Sequence, residues 1–145
     1  MRVWRIARST YAGSVEAMLS GEGAARYGGR WNPKGMPAVY CSENSSLAAL
    51  EILVNLARPS TFPSYRILDL YVPDASIVTA TAPVADTRRA GADLLRTHLA
   101  FMAPSAVNPL ERNVVLNPAH PDFHEVRPGA IRPFIFDGRL AAEQP

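Results

Sequence analysis

The sequence predicts an α+β domain of short, mainly antiparallel strands with a few helices. Three observations lead there. Two stretches, residues 42–58 and 86–100, carry apolar side chains at helical spacing. Around them run short apolar or alternating segments, and all 13 prolines fall outside the two helical stretches, marking the turns between strands. The regular strand–helix alternation of a doubly wound parallel sheet is absent. At 145 residues the chain is long enough for one core and too short for two, so a single domain over 1–145 is expected.

Taken in order, residues 3–7 (VWRIA) alternate apolar and basic side chains and read as a half-buried strand. Its outward or cleft-facing members are Arg2 and Trp4 in one register, or Arg5 in the other. Residues 14–19 suit a short helix capped by Ser14. From 20 to 37 glycine and proline recur, which predicts one long loop. Loops of that length inside a compact domain are usually functional or disordered, and Arg26, Tyr27, Arg30 and Trp31 speak against disorder. Residues 38–41 read as a buried strand. The polar run after them offers N-caps for a helix reaching about Arg58, and Pro59 closes it.

Residues 65–72 form the clearest strand, and 76–80 another. The helix at 86–100 sets Ala90, Leu94, Leu95 and Leu99 on one side, with Arg88, Arg89, Asp93 and Arg96 elsewhere. Short strands follow at 106–107, 113–116 and 131–136, and residues 141–145 are expected to fray.

Composition narrows the class. An apolar share of 48% against 19% charged describes a soluble globular chain. No apolar run is long enough for a membrane span. The N-terminal MRVWRIARST carries arginines where an export signal needs its apolar core. A single cysteine, Cys41, excludes an internal disulfide and fits a reducing cytoplasm, which is the expected location. The net charge of +2 gives little ground for a polyanionic partner. Of 15 basic residues, 14 are arginine, a residue suited to phosphate and carboxylate, although a genome rich in G and C produces the same bias. They are scattered, so no nucleic-acid-binding tail is visible.

Glu51 is the first candidate for chemistry. It is the one carboxylate in a helix that is apolar all round, a pattern that predicts burial. A buried carboxylate needs a partner or a purpose: a core arginine would supply the first, a catalytic role the second. Arg30 follows Gly28-Gly29, where the backbone can approach a ligand and the guanidinium can grip a phosphate; a solvated turn arginine is the plain alternative. Tyr40 suits stacking on a ligand ring or filling core. Trp31 reads as a packing anchor and Cys41 as a small apolar filler. His120 and His124 have a metal-like spacing, but Pro121 argues against a helix there and no third ligand completes a set. Ser105 lacks the GxSxG surroundings of a hydrolase nucleophile.

The stretch GEGAARYGGRWNPKGMPAVY, followed by LAALEILVNL and later PSAVNPLERNVVLNPAHPDF, resembles the RES domain family. Its members are bacterial toxins usually encoded beside an Xre-type antitoxin. The resemblance spans about residues 3–136. By position Arg30, Glu51 and Ser105 match the arginine, glutamate and serine that name the family. Tyr40 falls on its active-site tyrosine, and Arg5 matches an N-terminal arginine more loosely.

The resemblance implies an ADP-ribosyltransferase-like fold whose cleft binds NAD. It also implies NAD breakdown at the nicotinamide–ribose bond by hydrolysis or phosphorolysis, with ADP-ribose transfer to a protein as the alternative. In that frame Glu51 stabilises positive charge on the ribose, Arg30 holds the pyrophosphate, and Tyr40 stacks on nicotinamide. Ser105 hydrogen-bonds the ribose or amide, and Arg5 is a further cofactor-binding candidate. No cofactor beyond NAD as substrate and no metal is expected, because nicotinamide departs as a neutral group. Expected partners are an Xre-type antitoxin that blocks the cleft and inorganic phosphate as an acceptor. Nucleic acid is expected only through the antitoxin, and no membrane. A non-enzymatic binding module, which uses the cleft only to hold a partner segment and binds NAD without turnover, is the reading from another class.

Overall fold

The computed structural model describes residues 1–56, 59–81 and 85–142. Among them eight strands form one sheet: β1 (Arg2–Arg8), β2 (Val39–Ser42), β3 (Tyr65–Tyr71), β4 (Ile77–Thr79), β5 (Ala100–Pro104), β6 (Arg112–Leu116), β7 (Arg127–Pro128) and β8 (Arg132–Phe134). Their order is β4-β5-β6-β2-β1-β3-β7, with β8 also on β3. Every pairing is antiparallel except β4 with β5. That parallel pair needs a crossover, which helix α4 (Thr87–Thr97) supplies. The other helices are α1 (Val15–Leu19), α2 (Glu22–Tyr27) and α3 (Ser45–Asn55). The mainly antiparallel α+β architecture expected from the sequence is the one observed.

The strands alternate, so the sheet buries both faces. Val3, Val39, Leu68, Leu70, Val114 and Leu116 pack on one face with Met18 and Leu19 of α1. On the other face Phe101 and Val115 meet Leu95 of α4, and Ile6 and Ile67 meet Ala48 of α3. The two halves of the sheet are joined thinly at its centre. β1 pairs with β3 through seven register positions and β2 with β6 through four, but β1 and β2 share one, Trp4 with Ser42.

Several expectations need correction. The stretch 20–37 is not wholly loop, because α2 forms inside it between two glycines of positive φ, Gly21 (69°) and Gly28 (72°). α3, capped by the Asn44 side chain, ends at Asn55, and the expected end at Arg58 lies outside the described residues. It is not buried all round: Leu50 and Val54 are exposed. α4, capped by Asp86, stops at Thr97, because Ala100 already belongs to β5, which the helical pattern concealed.

Residues 106–107 form a bend rather than a strand. Pro121 opens a 3-10 helix, Pro121–Glu125, as proline can at a first helical position, with the His120 ring as its cap. At the C-terminus the Ala142 amide is held by the Pro59 carbonyl at 3.2 Å, so the expected fraying does not reach it, and 143–145 lie outside the described residues. No helix among the described residues is long and apolar enough to cross a membrane.

Candidate active site

On the α3 face lies a cleft of about 890 Å³, floored by β1 and β2 and walled by α3 and by the loop that follows α2. It brings Arg5, Arg30, Tyr40 and Glu51 to one concavity, and Ser105 reaches it through Glu51.

Glu51 is fixed from strands far along the chain. Its Oε1 accepts from Ser105 Oγ at 2.7 Å and from Asn113 Nδ2 at 2.6 Å. Asn113 is oriented in turn, its Oδ1 accepting from Ser42 Oγ at 2.8 Å. Ser105 Oγ accepts from the amides of Val107 (3.1 Å) and Asn108 (3.0 Å), which aims its proton at the carboxylate. Two donors on a carboxylate offset the cost of removing it from water. The carboxylate is therefore held by neutral donors, not by a core arginine: no salt bridge among the described residues includes Glu51. Both bonds fall on Oε1.

Arg30 is set by its backbone. Gly29 N–H donates to the Asn32 carbonyl at 2.9 Å. From α4, Arg88 Nε donates to the Gly29 carbonyl at 3.0 Å and Thr87 Oγ1 to the Arg30 carbonyl at 2.6 Å. Gly91 lets α4 come this close, since a Cβ there would overlap the Trp31 carbonyl oxygen. Gly29 is needed as well, because a Cβ would stand 2.5 Å from the Tyr40 hydroxyl. With its backbone held on both sides, the Arg30 side chain is exposed along the cleft.

Tyr40 has two faces to its role. Its ring lines the cleft, while its hydroxyl donates to Asn32 Oδ1 at 2.7 Å and accepts from Trp31 N at 3.0 Å. Burial pushes this phenol above its ordinary pKa, against the Trp31 amide and the Arg88 charge, which pull it down. Asn32, fully buried, spends its Nδ2 on the carbonyls of Ala24, Pro33 and Met36 and so knots the loop to α2. Trp31 is the expected anchor, edge-on to Phe101 with ring centroids 5.6 Å apart.

Arg5 lines the cleft from the place where β1 and β2 part. Its Nε donates to the Met18 carbonyl at 2.6 Å and its Nη1 to the Tyr40 carbonyl at 3.1 Å, so a guanidinium supplies a donor where the ladder has none. Burial lowers its pKa, and nearby Cys41 opposes that. Cys41 is the buried filler expected, its thiol pushed up to about 12 by burial. His120 and His124 bond to local backbone, and no group of three or more His, Cys, Asp or Glu among the described residues is placed to hold a metal ion.

Sequence reasoning missed Asn113, Ser42, Asn32, Thr87 and Arg88. Asn113 carried a faint signal as a polar residue at the start of an otherwise apolar strand; Ser42 was read only as a possible cap.

The α+β sheet and the cleft across its thin centre define an ADP-ribosyltransferase-like domain. Residues 2–137 match the family model of the RES domain, and the chain belongs to that family of toxins. It is 35% identical to Toxin Res of Photorhabdus laumondii subsp. laumondii over 86% of each chain. Identity is also 35% to the Prs ADP-ribosylating toxin of Sphingobium sp., over 94% of each. A shorter match, 34% over 52% of this chain and 44% of the other, is to the NAD(+) phosphorylase MbcT of Mycobacterium tuberculosis.

Proposed function

We propose that this chain, acting as a single domain, is an NAD-consuming toxin that breaks the nicotinamide–ribose bond. The observation that carries the reading is Glu51, a carboxylate at a cleft wall with both protein donors on one oxygen. Cleavage leaves positive charge on the ribose, in a transition state resembling an oxocarbenium ion. A fixed carboxylate beside the ribose stabilises that charge without reorganising as the bond breaks. Ser105 and Asn113 hold Oε1, so Oε2 faces the sugar and takes either the developing charge or a ribose hydroxyl. Arg30, on a clamped backbone with an exposed side chain, binds the pyrophosphate. The Tyr40 ring stacks on nicotinamide while its hydroxyl holds the loop. Arg5 shapes the floor, and both of its bonds go to carbonyls of this chain.

Water and inorganic phosphate are the acceptors this reading favours, supported by the relative named an NAD(+) phosphorylase. The relative named an ADP-ribosylating toxin makes a protein acceptor the second reading. A cognate Xre-type antitoxin would cover the cleft. Tyr27 (69% exposed) and Val54 (60% exposed), apolar side chains at its rim, offer such a partner its contact.

The test follows nicotinamide release from NAD by the purified chain, with and without phosphate. Glu51→Gln keeps the size of the side chain and removes the charge, so kcat should fall by about 10²–10³-fold with the fold intact. No release by the native chain, or equal rates for Glu51→Gln, sinks the proposal. Label from NAD appearing on protein would select the second reading.

A further inference from the structure

Residues opposed on neighbouring antiparallel strands send their side chains to one face, close enough to touch. Ser42 on β2 and Asn113 on β6 are such a pair. Ser42 also makes the single pairing of β2 with β1, so the pair sits where the sheet is joined most thinly. Both residues line the cleft, and Ser42 is only 4% exposed. Polar side chains withdrawn from water cost stability unless their bonds are made. These two make theirs with each other and with Glu51.

The bonds run in one direction. Ser42 Oγ donates to Asn113 Oδ1 at 2.8 Å, which leaves Asn113 Nδ2 to donate to Glu51 Oε1 at 2.6 Å. Turned over, the amide would set its oxygen against Oε1, one acceptor facing another. On the other side Ser105 Oγ is filled by the Val107 and Asn108 amides, so its one proton also goes to Oε1. Both hydrogen-bond partners of Oε1 among the described residues are therefore donors, and a proton placed on that oxygen would meet no acceptor in them. Oε2 is the oxygen left for chemistry. Ser105 is set by the backbone of its own loop, whereas Asn113 is set by another side chain. Which way its amide faces is decided by one hydroxyl, that of Ser42.

We propose that Ser42 and Asn113 are positioning residues for the reaction: the Ser42 hydroxyl fixes the Asn113 amide, and the amide fixes the Glu51 carboxylate with Oε2 toward the ribose. The proposal rests on the NAD reading above and deepens it. Neither residue touches the reacting atoms in this role; both act through Glu51. Glu51 stands on α3, whose Leu50 and Val54 are exposed, while Ser42 and Asn113 belong to the sheet. The pair thus ties the carboxylate to the cleft floor rather than leaving its aim to the helix that carries it. A developing charge is stabilised by a group already aimed at it, and a displacement of about 1 Å can cost about 10²-fold in rate.

Asn113→Ala should lower kcat for nicotinamide release about 10–10²-fold and leave KM for NAD within about twofold. Asn113→Asp is nearly isosteric, so a packing role predicts the milder loss there. The positioning role predicts the reverse. The new carboxylate would face Oε1 and repel it, so kcat should fall further than in Asn113→Ala. Ser42→Ala should lower kcat about tenfold in the native background and less than about twofold in Asn113→Ala, where it has nothing left to act through. Ser42→Thr, which keeps the hydroxyl and suits a strand, should retain most of the rate. Losses in KM instead of kcat, a milder effect of Asn113→Asp, or independent effects of the two alanines overturn the pair.

A measurement without substrate separates this pair from the NAD reading. A proton donated to a carboxylate sits in a short, charge-assisted bond. In the nuclear magnetic resonance spectrum one Asn113 side-chain amide proton should therefore lie downfield of those of exposed asparagines. Glu51→Gln, which removes the charge, and Ser42→Ala, which frees the amide, should each bring it back toward them. An Asn113 signal that is the same in all three proteins overturns the proposal even if NAD is cleaved. If the native chain releases no nicotinamide, the NAD reading fails, and this signal still decides whether the pair holds Glu51.

Discussion

Tyr40→Phe separates two tasks carried by one side chain. The ring that lines the cleft survives the substitution, and the hydroxyl that ties Trp31 N–H and Asn32 Oδ1 is lost. Neither group has room to find water in the loop, since Asn32 is fully buried and Trp31 nearly so. Leaving a buried donor or acceptor unpaired costs about 1–3 kcal/mol, so the two together should remove about 3 kcal/mol of stability or somewhat more. An unfolding entropy of about 2.1 cal/mol/K per residue gives about 0.3 kcal/mol/K for this chain. The melting temperature should therefore fall by about 10 °C.

The loop that loses its knot is the one that carries Arg30, so KM for NAD should rise. Glu51, held by a different network, should keep kcat within a few-fold. Thermal unfolding followed by circular dichroism reads the first effect and nicotinamide release the second. An unchanged melting temperature would refute the view of the hydroxyl as a lock. A collapse of kcat at unchanged melting temperature would instead place the hydroxyl in the chemistry.

Gly91→Ala should destabilise, although alanine is the better helix former by about 1 kcal/mol, because the added methyl meets the Trp31 carbonyl and pushes α4 off the loop. A stabilised variant in a thermal melt would show that the close approach is not real. Cys41 gives a dependence on pH. Its thiol is pushed from 9.0 up to about 12 by burial, with the Arg5 charge opposing more weakly. Above about pH 9 the unfolded chain sheds a proton that the folded chain keeps, so this residue makes stability fall as pH rises, levelling off beyond about 12. Denaturant unfolding of the native chain and of Cys41→Ala at about pH 8 and pH 10.5 should show the native chain losing more; parallel losses would refute the assignment.

Much of this was legible in the residues. Glu51 drew notice because a lone carboxylate among Leu50, Ile52, Leu53 and Val54 has no reason to be there for packing. What was not legible was its company. Ser105 and Asn113 lie 54 and 62 residues further along the chain, and only the sheet brings them to it. Ser105 entered through the family resemblance, while Asn113 gave only a faint signal and Ser42 only that of a helix cap, since a polar residue at a strand end usually faces water.

The glycines that flag the Arg30 loop also hid α2, whose six residues sit between two of them. Leu99, Ala100 and Phe101 continue an apolar run out of α4, so β5 merged with the helix before it. Leu50 and Val54 misled in the opposite direction. Apolar all round predicted burial, whereas both are exposed, and Val54 stands at the cleft rim.

The union of β1 and β2 through Trp4 and Ser42 makes the cleft floor a seam in the sheet. One backbone pairing and the Arg5 guanidinium stitch it, where neighbouring strands are laced along their length. Whatever lies along the seam bridges the two sides, so occupancy and cohesion are thermodynamically linked: each strengthens the other. A molecule that fills the cleft thus also serves as a splint. Emptying it returns the protein to its least braced form, so a partner that silences this toxin by filling the cleft would at the same time preserve it.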